Sequence, residues 1–230
     1  MKKIGLIGGT GPESTLMYYK ELNNSIDKLT KGQVMPDIVI ESVNFHRAWE
    51  YVTLGRYEVL ADYLSEKTEC LKKSGADIIS LTAVTMHIVF KQIEEKTGIN
   101  LISIPKAVCD EVVNKGIKKV GLLGTIFTME QNYMKSDFAA AGIQVFVPGK
   151  DDRKLIAKKI YEELERGIVN ESTLQEFLRI IQNMKIELGI EAVILGCTEL
   201  PLILNKDNCP VECLDAVEIH LKKLIELAME

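Results

Sequence analysis

Short, nearly continuous apolar runs alternate along the chain with longer stretches whose apolar residues recur every three or four positions. The runs are KIGLIG (3–8), DIVIESV (37–43), ADIISL (76–81), KVGLLG (119–124), IQVFV (143–147) and AVILG (192–196). Strands covered on both faces, as in a parallel sheet, read this way. Helical periodicity predicts helices over Glu13–Leu29, Arg56–Lys73, Phe90–Lys96, Lys106–Asn114, Met129–Ala141, Lys154–Arg166, Ser172–Leu188 and Ala216–Met229. The alternation predicts an α/β fold of mostly parallel sheet flanked by helices.

An internal repeat divides the pattern. KKIGLIGGT at 2–10 resembles KKVGLLGTI at 118–126, and GADIISLTAVT at 75–85 resembles GIEAVILGCTE at 189–199. The two matches run in the same order at nearly the same offset, which predicts two similar α/β halves. The second match sets Cys197 opposite Ala83 and Thr198 opposite Val84. Ligands of open parallel sheets sit outside the carboxyl ends of the strands. If the halves face each other across a cleft, these two strand ends look at one ligand from opposite sides.

Composition narrows the partners. The 230 residues are 47% hydrophobic with a net charge of −5. No basic block stands out, so neither nucleic acid nor an anionic membrane is expected as a partner. The apolar run after the two N-terminal lysines breaks at Gly8-Gly9, too short for a signal-peptide core, and no segment is long enough to span a bilayer. A soluble cytoplasmic protein is expected. The five cysteines are odd in number and lack a CxxC pair, and the three histidines give no zinc spacing, so neither a disulfide scaffold nor a metal is expected.

Three stretches carry candidate chemistry. In VILGCTELP (193–201), Cys197 stands at a strand end after Gly196, where backbone N–H groups could lower its pKa; a thiolate there serves as nucleophile or base, and Glu199 could cap or accept a proton. The same cysteine could instead fill the strand end as a small hydrophobe. In GLIGGTGPEST (5–15), Gly9, Thr10 and Gly11 form a glycine-rich turn whose N–H groups suit a small carboxylate. It lacks the Lys-Ser/Thr of a phosphate loop and the third glycine of a dinucleotide fingerprint, and it also reads as a plain tight turn. GTIFTMEQ (124–131) is its counterpart, with Thr125 and Thr128 as hydroxyl donors. Arg47 in NFHRAW could clamp a substrate carboxylate or lie solvated on the surface. His87, in LTAVTMHIVF, forms no evident triad and reads more simply as a capping histidine.

Taken together these motifs resemble the aspartate/glutamate racemase family over nearly the whole chain. The matching pieces are IGLIGGTGPEST, NF at 44–45, TMH at 85–87, LLGTIFTM at 122–129, ILGCTELPL at 194–202 and DAVEIH at 215–220. The resemblance implies two similar domains, 1–100 plus 206–230 and 101–205, each a mostly parallel sheet flanked by helices. It also implies an active site in the cleft between them, a homodimer, and cofactor-independent racemisation of a small amino acid or dicarboxylate, aspartate or glutamate. In this chemistry one thiolate takes the α-proton and a second thiol returns one to the other face. Without an electron sink, such a step needs opposed acid/base groups and donors for the developing enediolate charge.

The chain departs from the family pattern in one place. Where many members read CNT it reads Ala83-Val84-Thr85, so the first cysteine maps to Ala83 and a substrate-binding asparagine to Val84. Cys197 is then the surviving base. Thr82, Thr85 or His87 is left to act on the opposite face, and Gly9, Thr10, Gly11, Arg47, Ala83, Val84, Thr125, Thr198 and Glu199 to line the substrate. Two other functions fit the same residues. One is a one-cysteine decarboxylase that protonates an enediolate from one face, with Ala83-Val84 as its apolar pocket; the other is a catalytically silent binding protein.

Overall fold

The first apolar run becomes β1 (Ile4–Gly8), buried along its whole length. The computed structural model describes residues 1–230. Gly9 and Gly11 turn the chain, with φ of 78° and 143°, into α1 (Pro12–Leu29). Pro12 presets the first helical turn, and Glu13 complements its positive end. The buried stripe Ser14, Tyr18, Leu22 and Ile26, at four-residue spacing, fixes which face of α1 meets the sheet. The chain continues through β2 (Ile38–Ser42), α2 (Phe45–Thr53), α3 (Tyr57–Lys73), β3 (Ile78–Leu81), a short 3-10 turn over Val84–Val89 and α4 (Phe90–Thr97). The sheet is parallel in the order β2-β1-β3, extended by an isolated parallel bridge between Ser80 and Ile102.

A second sheet begins after α5 (Ile104–Asn114). Its elements are β4 (Lys119–Leu123), α6 (Ile126–Glu130), α7 (Ser136–Ala140), β5 (Gln144–Phe146), α8 (Lys150–Glu162), α9 (Glu171–Leu188), β6 (Ala192–Leu195) and β7 (Glu212–Asp215). These strands are also parallel, in the order β5-β4-β6-β7. The last helix, α10 (Ala216–Met229), closes the chain. No helix is long and apolar enough to cross a membrane. Two units result: Met1–Ile104 with His220–Glu230, and Pro105–Ile219.

The repeat seen in sequence recurs in the strand register. In the first sheet Ile4 pairs with Ile78 and Ile7 with Leu81; in the second Val120 pairs with Ala192 and Leu123 with Leu195. Applying the sequence matches to one sheet gives the register of the other. The next backbone bond repeats too: Thr82 N–H donates to Ile7 O at 3.2 Å, and Gly196 N–H to Leu123 O at 2.7 Å. Ala83 and Cys197, the residues that follow, therefore hold the same place in their own sheets.

Several expected elements differ. Helix α2 leaves too short a hydrophobic period in the sequence to stand out. It is short, buries only Ala48 and Val52, and depends on Asn44, whose Oδ1 caps the Arg47 N–H at 3.1 Å. The helix expected over 129–141 is broken: Gln131 is extended, with ψ of 164°, and Lys135 Nζ donates to Met129 O at 2.6 Å. Strand β7 carries no continuous apolar run, because only Leu214 is buried in its four residues. Its pairing with β6 keeps residues 206–219, expected with the first half, in the second unit, and the mid-chain break falls between Ile104 and Pro105 rather than at 100/101.

A buried polar network fixes the first unit. His220 is fully buried; its Nε2–H is shared between Ser80 Oγ at 3.0 Å and Ile102 O at 3.2 Å, and its Nδ1 accepts from Tyr18 OH at 2.7 Å. His87, also buried, accepts the Ile104 N–H on Nε2 at 3.1 Å and turns Nδ1 toward the carbonyls of Ala83 and Val84, both at 3.2 Å. Burial pushes His87 down to about 4 and His220 down to about 3, so both are neutral near pH 7.

The unfolded chain protonates these imidazoles near pH 6.5, the native protein only far below it. Between those values the unfolded state binds more protons, so stability falls as pH falls, by up to about 1.4 kcal/mol per pH unit for each histidine. The melting temperature is expected to be lower at pH 5 than at pH 7, with a smaller difference in His220→Gln. A melting temperature flat across that range would contradict this account.

Candidate active site

In the second unit β6 runs out at Leu195 and Gly196 turns the chain. A Cβ on Gly196 would meet Leu123 O and Thr128 Cγ2, each at 2.9 Å, so only glycine lets the backbone pass here. Cys197 follows, 9% exposed, and packs against the apolar core that contains Leu123, Leu195 and Leu200. Its thiol donates to Glu199 Oε2 at 2.8 Å, and Thr198 Oγ1 donates to Glu199 Oε1 at 2.6 Å. One carboxylate thus collects the two neighbouring X–H groups. Thr125 caps α6: its Oγ1 accepts the Thr128 N–H at 3.2 Å and lies 3.1 Å from Thr128 Oγ1, which in turn lies 2.9 Å from Tyr133 OH.

Electrostatics here oppose the expectation of a lowered thiol pKa. Burial, then the charge and hydrogen bond of Glu199, push Cys197 well above the usual thiol value; the Glu199 N–H acts the other way and is outweighed. Cys197 therefore rests as a thiol, with its proton already directed at a carboxylate. Glu165, an exposed residue in the turn Leu164–Arg166, has its carboxyl raised by partial desolvation and then by the Glu199 charge. No motif marks Glu165 in the sequence: it sits in an ERG run that reads as a helix end.

In the first unit the glycine turn, α1 and the end of β3 come together. Gly9 N–H donates to Thr15 Oγ1 at 2.9 Å, and Ser14 Oγ donates to Thr82 O at 2.6 Å. Gly9 takes its left-handed conformation where any Cβ would lie 2.3 Å from Val43 O. Thr10 is 7% exposed and its buried hydroxyl has no partner. An orphaned hydroxyl next to a helix N-terminus is a ready donor for an anion.

The other first-unit candidates divide between buried and exposed. Thr82 is fully buried and its hydroxyl donates to Ile7 O at 3.2 Å. Val84 and Thr85 are buried, and Ala83 is half-buried. Arg47 lies on the exposed face of α2, with its guanidinium 5.5 Å from the Tyr63 ring centre, a cation–π placement. With both ring nitrogens engaged, His87 fits the capping reading. No group of three or more His, Cys, Asp or Glu side chains is placed to hold a metal ion.

A thiol backed by a carboxylate at a strand end suits proton transfer at carbon. A sequence profile of the Asp/Glu/Hydantoin racemase family matches residues 7–224. The chain belongs to this family. A Yersinia pestis protein solved as a candidate Asp/Glu racemase is similar at 34% identity and a TM-score of 0.94, with all of both chains covered. An aspartate racemase homologue from Pyrococcus horikoshii is similar at 36% identity and a TM-score of 0.88, again over all of both chains. An uncharacterised protein of Pectobacterium carotovorum subsp. carotovorum is 28% identical over 139 residues, 60% of this chain and 91% of that one. Ala83, a residue without a titratable group, stands at the end of β3 in the place that Cys197 holds at the end of β6.

Proposed function

We propose that this protein is a cofactor-independent enzyme that removes and returns the α-proton of an acidic amino acid, aspartate or glutamate, with Cys197 as its single thiol. The observation that carries the reading is the thiol donating to Glu199 at the end of β6. Glu199 takes the thiol proton as substrate arrives, the thiolate removes the α-proton, and the proton on Glu199 is available for return. In the first unit the backbone N–H groups of Thr10 and Gly11 and the orphaned Thr10 hydroxyl are donors suited to a carboxylate. Thr82 is buried and donates to Ile7 O, which leaves Thr85 as the first-unit hydroxyl for a second acid/base role.

Ala83 carries no proton, so the two directions should run unequally. It also favours a second reading, a one-base decarboxylase, in which only one face of an enediolate is protonated. Chiral chromatography of L- or D-aspartate and glutamate incubated with the protein tests the proposal. Racemisation appears as the second enantiomer, whereas decarboxylation of a malonate-type acid with no enantiomer interconversion favours the second reading. A homodimer in a reducing cytoplasm belongs to the proposal; five free cysteines suit such a compartment, and light scattering checks the dimer.

Substitution of Ala83 and Val84 tests the vacant position. Ala83→Cys is expected to raise exchange in the slower direction, because Ala83 stands in its sheet where Cys197 stands in its own. Val84→Asn is expected to cost about 1–3 kcal/mol in thermal melts, since Val84 is 5% exposed and the amide would be buried. If the Ala83→Cys variant binds an acidic amino acid with its slower direction unchanged, position 83 is not the missing acid/base.

A further inference from the structure

Three hydroxyls stand in a row at the carboxyl end of β4. Tyr133 OH lies 2.9 Å from Thr128 Oγ1, which lies 3.1 Å from Thr125 Oγ1. Thr125 Oγ1 also accepts the Thr128 N–H at 3.2 Å. Thr128 is fully buried, and Thr125 and Tyr133 are half-buried. The row stands beside the strand end that carries Cys197, within the second unit. Gly196 N–H donates to Leu123 O at 2.7 Å, and a Cβ on Gly124 would meet Thr128 Cγ2 at 2.8 Å and Gly196 O at 3.1 Å. Two glycines thus let the ends of β4 and β6 close up, with Thr125 following one and Cys197 the other.

We propose that Tyr133 is a positioning residue that directs the Thr125 hydroxyl, as a donor, at a carboxylate of the acidic amino acid, a role that rests on the function proposed above. A phenol is more acidic than an aliphatic alcohol, so Tyr133 donates to Thr128. Thr128 then passes its own proton to Thr125 Oγ1. The Thr125 oxygen accepts twice, from the Thr128 N–H and the Thr128 O–H. Its own proton is turned away from both, toward the strand ends where a ligand of a parallel sheet sits. Hydrogen bonds in series polarise one another, so Thr125 donates more strongly than a lone hydroxyl. Each proton stays on its oxygen; the row orients and does not ionise.

The break after α6 is what makes the row. In an unbroken helix, residues three and four apart share a face and residues five apart do not. Gln131 is extended, and the turn that follows, with Lys135 N–H on Asn132 O at 2.8 Å, brings Tyr133 back onto Thr128. Thr125 also caps α6, but a cap needs neither the phenol nor the Thr128 hydroxyl. Without the phenol, Thr128 Oγ1 is open to the Thr125 proton, and the Thr125 hydroxyl turns inward. The row therefore bears on ligand affinity more than on folding.

The test is titration calorimetry of the full chain with each enantiomer of aspartate and glutamate, with thermal melts alongside. Tyr133→Phe keeps the ring, Thr128→Val keeps the shape, and each cuts the row. Each should weaken binding of the preferred acid about fivefold, the size of one ordinary hydrogen bond. The double variant should bind no more weakly than either single one, because links in series fail together. Exchange of the α-proton is read separately: a chain that binds, shows this loss and exchanges no proton keeps Tyr133 in its role while the proposed reaction falls. Unchanged affinity in Tyr133→Phe, with or without a lower melting temperature, would overturn the role of Tyr133. So would losses that add in the double variant, or no binding of any of these acids to the unaltered chain.

Discussion

Cys197→Ala is expected to slow α-proton exchange of an acidic amino acid by about 10³-fold, the scale of a lost general acid/base. The substitution removes the one thiol that sits at a strand end and donates to a carboxylate. It should cost little in folding, because the remaining side chain is apolar and the neighbouring core is already packed around it. The controls are Cys70→Ala in α3 and Cys109→Ala in α5, which lie inside helices and should leave exchange intact. Undiminished exchange in Cys197→Ala would remove the thiol from the mechanism.

Glu199→Gln is expected to pull two rates in opposite directions. The Glu199 carboxylate raises the Cys197 pKa by its charge and its hydrogen bond, second only to burial. Replacing it with a neutral amide removes that contribution, so more thiolate is present at a given pH and alkylation of Cys197 by iodoacetamide should speed up. Exchange should nevertheless fall by about 10²-fold, because an amide cannot take and return the thiol proton. Measuring both rates on one preparation across pH separates proton transfer from mere positioning, since a positioning role alone would not accelerate alkylation. Exchange that rises together with alkylation would show that ionising Cys197 limits the reaction and that Glu199 is not the proton acceptor.

How far the sequence is legible depends on what each feature needs. β1, β3, β4 and β6 announce themselves because a parallel strand covered on both faces must be apolar throughout. The repeat could be aligned by glycine and apolar positions alone, since backbone pairing within each sheet fixes the register that those positions follow. β7 and α2 could not be read, because each buries too few residues to leave a period. Their position depends on pairing with β6 and on the cap at Asn44, neither of which is a hydrophobic signal.

At the site, the position of Cys197 was legible and the direction of its pKa was not. Gly-Cys-Thr-Glu after an apolar run places a thiol at a strand end, where N–H groups lower a pKa and burial raises it. Which one wins depends on how deeply the core covers the sulfur and on where the Glu199 side chain turns. Both are tertiary facts, and here both act upward. Glu165 illustrates the same limit: its carboxyl senses the Glu199 charge only through folding, across a long separation in sequence. The orphaned hydroxyl of Thr10 is likewise visible only once its surroundings are known.

The most direct test is wash-in of solvent deuterium at the α-carbon, followed by mass spectrometry and NMR, with each enantiomer of aspartate and glutamate incubated separately with the unaltered protein in D₂O. A single thiol held by Glu199 predicts deuterium at the α-carbon of at least one of these acids, faster from one enantiomer than from the other. Binding of these acids with no α-deuterium from any of them would contradict the account and leave the protein a binding protein for this class of ligand.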